Sequence, residues 1–170
     1  LDGEPVLVVA GAGTVVVVGS GDIVGLLDAA TIAEGIGLDG EGLISSVPLV
    51  RAGDGWEVFR WPADDELRLV VGRLDRVFAA AWYTIQAQLL RRGPAYPATA
   101  EVFAKGDVPV LVATWTRGVE TLLPVVDDVV IAEPDGTVHA VPFGGFIDAD
   151  GVTATDLQPR RFHVAADASA

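Results

Sequence analysis

The 170-residue chain has no cysteine, no methionine and no asparagine, only one lysine (Lys105) beside ten arginines, and two histidines, His139 and His163. Without cysteine there can be no disulfide, no thiolate nucleophile and no cysteine-ligated zinc. Lys and Arg total 11 against 24 Asp and Glu, a formal net charge of −13. Tracking a phosphate backbone normally needs clustered cations, so nucleic acid is not an expected partner. Long apolar runs are also missing: a run such as Val15 to Val18 with its flanks falls far short of the roughly 18 to 20 residues a membrane helix needs. No membrane partner is expected. Leu1 to Pro5 carries acidic residues where a secretory leader is basic, and the cytoplasm is the expected location; a leader already removed would leave no trace.

Apolar residues nonetheless make up 51% of the chain, with mean hydropathy +0.44. That excess must be buried within the fold or in a subunit contact. A homo-oligomer is expected, a dimer first of all, with the acidic surface maintaining solubility and favouring a basic protein partner where one exists.

Five Asp-Gly pairs punctuate the chain, at Asp2-Gly3, Asp39-Gly40, Asp54-Gly55, Asp135-Gly136 and Asp150-Gly151. Asp tolerates the left-handed region and Gly enters it without a Cβ penalty, so such pairs between apolar runs signal hairpins. Continuous Val-rich runs, Val6 to Ala10 and Thr14 to Val18, read as buried strands around a glycine loop. Asp22 is placed as the N-cap of a helix to about Glu34, stopped by Gly35 and Gly37. A meander follows: Leu43 to Arg51, Trp56 to Trp61, then Glu66 to Gly72, whose period is nearer two than 3.6; an early start to the next helix is the competing assignment. A long helix is predicted from Asp75 to Arg92, with Leu74, Val77, Phe78, Ala81, Trp82, Ile85 and Leu89 as its apolar face and Gly93-Pro94 as its stop. Strands near Ala100 to Ala104 and Val108 to Thr114, a short helix near Arg117 to Leu123, a hairpin across Pro134-Asp135-Gly136 and a strand near Arg160 to Val164 complete the reading. The expected fold is α+β: a mainly antiparallel twisted sheet with two substantial helices, one domain over 1–164 and a frayed tail over 165–170.

Two stretches invite a ligand. Gly19-Ser20-Gly21, between a strand and the Asp22 helix, has the order of a phosphate-binding turn and is the candidate cofactor-binding segment. Its spacing is G-x-G-x-x-x-G, and Asp22 sets a negative charge where the anion would lie, so a capped strand exit competes with the cofactor reading. Trp115-Thr116-Arg117 offers an aromatic wall, a hydroxyl N-cap and a cationic fork, the better constellation for a small anion. Ordinary capping by Thr116 and a solvated Arg117 would explain it equally. His139 and His163 lack metal-ligand spacing, and even with Asp127, Asp128 or Glu133 nearby they form no recognisable site; no metal and no cofactor is expected. On strand alternation His163 shares a solvent face with Arg161. Asp148-Ala149-Asp150-Gly151 opens like a calcium loop but lacks the later oxygen ligands, leaving a turn.

No motif carries a family resemblance. The first functional expectation is a non-enzymatic interaction or assembly module, such as an immunity factor, adaptor or chaperone, because conspicuous chemistry is scarce while apolar surface is abundant. The alternative is a small-molecule or anion-binding domain, an enzyme included, using Trp115 to Arg117 or Gly19 to Gly25. Backbone donors can build such a site without conspicuous side chains.

Overall fold

The first strand, β1 (Pro5–Gly11), alternates inward Val6, Val8 and Ala10 with outward Leu7 and Val9. It pairs antiparallel with β2 (Thr14–Gly19). The computed structural model describes residues 1–40 and 42–169. Among them the chain forms three helices and twelve strands in three four-stranded sheets, an α+β fold with mostly antiparallel pairing. It divides into two compact units, Leu1–Phe78 and Ala79–Ala170.

In the first unit, α1 (Ile23–Asp39) begins where Asp22 accepts a hydrogen bond from the Gly25 N–H. It runs through Gly35 and Gly37 and ends at Gly40, whose φ of 71° and N–H bond to the Ile36 carbonyl close it. Gly37 is a packing residue rather than a stop: a Cβ there would lie 2.7 Å from Val77 Cγ1 and 2.9 Å from the Phe78 ring. The strands β3 (Leu49–Ala52) and β4 (Gly55–Val58) complete a sheet of order β2-β1-β3-β4. Most of the stretch assigned from Leu43 is therefore not strand.

The helix α2 (Asp65–Leu90) starts ten residues before the predicted Asp75. Asp64 caps it, accepting from the Leu67 N–H at 2.9 Å. Glu66 to Gly72 is thus helix, not strand. Leu67, Val70 and Leu74, at i, i+3 and i+7, are the buried positions that override the apparent alternation, while Leu69 is 44% exposed. Leu67, Val70, Leu74 and Phe78 pack with Val6, Val8, Leu26 and Ala30 in the core of this unit.

In the second unit the rest of α2 contributes Tyr83, and the chain continues through β5 (Tyr96–Pro97), β6 (Glu101–Lys105), β7 (Val108–Thr116), β8 (Thr121–Pro124), β9 (Asp128–Ala132) and β10 (Val138–Pro142). A short helix, α3 (Phe143–Phe146), precedes β11 (Val152–Ala154) and β12 (Arg161–Val164). The sheets are ordered β10-β9-β7-β6 and β11-β12-β8-β5. Trp115, Leu123, Val129, Ile131, Phe146 and Val164 form the core. No helix forms at Arg117 to Leu123: Gly118 sits at φ 89°, the Val119 N–H returns to the Thr116 carbonyl, and Thr121 already begins β8. Residues 165–169, where fraying is the expectation, hold a buried Ala168 and a Ser169 N–H bonded to the Asp150 carbonyl; Ala170 lies outside the described residues.

Candidate functional site

The nine-residue strand β7 alternates strictly, burying Leu111, Ala113 and Trp115 and turning Val112, Thr114 and Thr116 to the other side. Thr114 lies opposite Val130 of β9, and Val112 opposite Glu101 of β6. These outward residues floor a groove of about 620 Å³, flanked by Tyr96, Thr99 and Phe103. Its size is that of a small-molecule site. The hydroxyls of Thr99, Thr114 and Thr116 make no hydrogen bond to another described residue.

The three residues of the Trp115-Thr116-Arg117 constellation are separated by the strand they share. Trp115 is fully buried, donates from Nε1 to the Val119 carbonyl at 3.0 Å, and meets Phe146 edge to face at 5.6 Å. It is core, not a ligand wall. Thr116 ends a strand rather than capping a helix, and it alone of the three lines the groove. Arg117 stacks 5.1 Å over the Trp115 ring, donates from Nε to Glu133 at 2.7 Å, and donates again to the Ala168 carbonyl. That contact holds the Glu133 carboxyl below its ordinary value and raises Arg117 above its own.

At Gly19-Ser20-Gly21 the chain itself occupies the turn. The Ser20 N–H bonds to the Glu4 carbonyl, Gly21 to Asp2, and Asp22 to Gly19. Ser20 Oγ accepts from the Glu4 N–H at 2.9 Å. A Cβ on Gly19 would lie 2.1 Å from the Asp2 carbonyl oxygen, so glycine here admits the amino-terminal segment, not a phosphate.

The histidines stand on different sheets, His139 on β10 and His163 on β12 with Nε2 2.6 Å from Glu120. The carboxylates considered with them are engaged elsewhere: Asp127 with the Leu111 N–H, Asp128 with Lys105, Glu133 with Arg117. Arg161 is fully buried, contrary to its expected solvent face. The groove was not legible in the sequence; its only trace was the alternation of β7, read there simply as a strand. Comparison with protein-family models, curated proteins and solved structures finds no match to this chain.

Proposed function

We propose that the chain is an interaction and assembly module whose partner is a second copy of itself, docking through the outer face of the sheet β2-β1-β3-β4. The observation that carries this reading is one cross-strand row. Val17 lies opposite Leu7, Leu7 opposite Leu49, and Leu49 opposite Val58, so the row crosses all four strands on one face. Beside it are Val15 and Trp56, the latter under Arg51 at 5.9 Å. Val17 is 49% exposed and Val58 64%.

Charge selects the occupant. Of 24 acidic residues in the chain, none is among these seven positions, whose single charge is Arg51. Two chains at −13 repel wherever carboxylates meet, and this face keeps them apart while burying apolar area. Screening salt should strengthen such a contact rather than weaken it.

Sedimentation velocity tests the proposal. A dimer is expected at tens of micromolar, stabilised by added salt, and Val17→Glu or Val58→Glu should give a folded monomer whose melting temperature no longer rises with protein concentration. A wild-type monomer at high micromolar concentration would overturn it. A ligand-binding domain is the second reading, favoured by the groove over β7.

A further inference from the structure

We infer that the groove over β7 binds a small organic cation: an ammonium group on an apolar, aromatic frame. The lining sets both halves of that molecule. Val112, Val119 and Val130 supply an apolar floor and rim, and Tyr96 and Phe103, 60% and 52% exposed, present ring surface at its edge. Apolar area with a few placed polar groups is the usual composition of a small-molecule site. Exposed aromatic faces attract a cation as well as an apolar ring.

The polar half follows from charge. Glu101 is the single formally charged residue lining the groove, and among the described residues it has no ion-pair partner. The cations that end β6 and follow β7 are already matched, Lys105 with Asp128 at 3.5 Å and Arg117 with Glu133 at 2.7 Å. A carboxylate or phosphate entering the groove would therefore meet Glu101 and no lining cation, whereas an ammonium would complete a pair. The hydroxyls of Thr99, Thr114 and Thr116 can accept the remaining ammonium protons. This reverses the sign of the ligand expected from Arg117 in the sequence. Arg91 lines a separate hollow that shares Tyr96 and Thr99, so the test must locate the ligand as well as rank it.

Three probes with one frame and different end groups decide the matter: phenethylamine, 2-phenylethanol and phenylacetate, titrated into the full chain while amide shifts are followed by NMR. Phenethylamine should bind tightest, with shifts centred on Glu101, Thr114 and Thr116. Its preference over the alcohol should be roughly two- to fivefold, the scale of an exposed ion pair. Glu101→Gln should erase that preference and leave the affinity for the alcohol unchanged, and Phe103→Ala should weaken all three. Phenylacetate binding as tightly as the amine, an unchanged order in Glu101→Gln, shifts confined to the Arg91 hollow, or no saturation by phenethylamine at about 10 mM would each overturn the proposal; the millimolar limit is that of a weak fragment.

Discussion

The Arg161 guanidinium donates from Nε to Gln86 Oε1 at 2.5 Å, and both residues are buried. Its other nitrogens donate to the carbonyls of Ala98, Leu122 and Tyr83 at 2.7 to 2.8 Å, and the group lies 5.1 Å from the Tyr83 ring centre. Gln86 in turn donates to the Pro159 carbonyl, and the Tyr83 hydroxyl donates to that of Arg160. Burial pulls the guanidinium down to about 10, so it remains protonated at neutral pH. One cation thus ties α2, β8, β12 and the segment before β6 together inside the second unit by main-chain acceptors.

Removing that cation should be severe. Arg161→Leu removes the donor to three carbonyls and one amide oxygen, of which the Leu122 carbonyl keeps another partner, the Ala98 N–H. A buried group that loses its partner costs about 1 to 3 kcal/mol, so a loss above about 3 kcal/mol is expected. Gln86→Ala should cost about 1 to 3 kcal/mol, well beyond the roughly 0.5 kcal/mol of a surface change. The double variant should lose less than the sum, because the two sites share one bond. Urea unfolding of the four proteins measures the cycle; strict additivity would separate Gln86 from Arg161.

Two glycines of α1 should respond with opposite signs. Around Gly35 an added Cβ meets nothing within 4 Å, so Gly35→Ala should gain about 0.5 to 1 kcal/mol from helix propensity. At Gly37 the same methyl presses on Val77 and Phe78, and overpacking of about 1 to 3 kcal/mol should outweigh that gain. Thermal melts of the two variants side by side check this; equal stabilisation would mean that Val77 and Phe78 yield freely.

Elements specified by local chemistry were legible in the sequence, whereas those decided by a partner distant in the chain were not. The hairpin of β9 and β10 follows from Asp135-Gly136, where Gly136 adopts φ 87°, and α1 follows from its Asp22 cap. Asp39-Gly40, by contrast, closes a helix instead of a hairpin, since a left-handed glycine serves either end. The apolar face of α2 was right through Phe78 and then slipped: Trp82 and Leu89 are exposed, and Tyr83, Gln86 and Ala87 are buried. A polar Gln86 inside that face makes sense only once Arg161 lies against it, 75 residues later. Arg117 is a similar case. It reads as an available anion fork until Glu133, 16 residues on, is seen to hold it.

That last pair should show in the acid limb of stability. Glu133 ordinarily takes its proton near 4.5, and the hydrogen bond from Arg117 lowers this in the folded chain. As pH falls below the ordinary value the unfolded state binds the proton first, so the stability contributed by the pair is present above about 4.5 and is lost as pH drops through the lower folded value. Asp135, lowered by the Thr137 N–H and hydroxyl, adds a loss of the same sign from its own ordinary 3.8 downward. Melting temperatures of wild type, Glu133→Gln and Asp135→Asn from pH 6 to pH 3 separate the two. Each substitution should flatten part of the acid decline, Glu133→Gln beginning at the higher pH. If Glu133→Gln fell with pH as steeply as wild type, Glu133 would not be a source of acid sensitivity, and its tie to Arg117 would be too weak to fix the turn after β7.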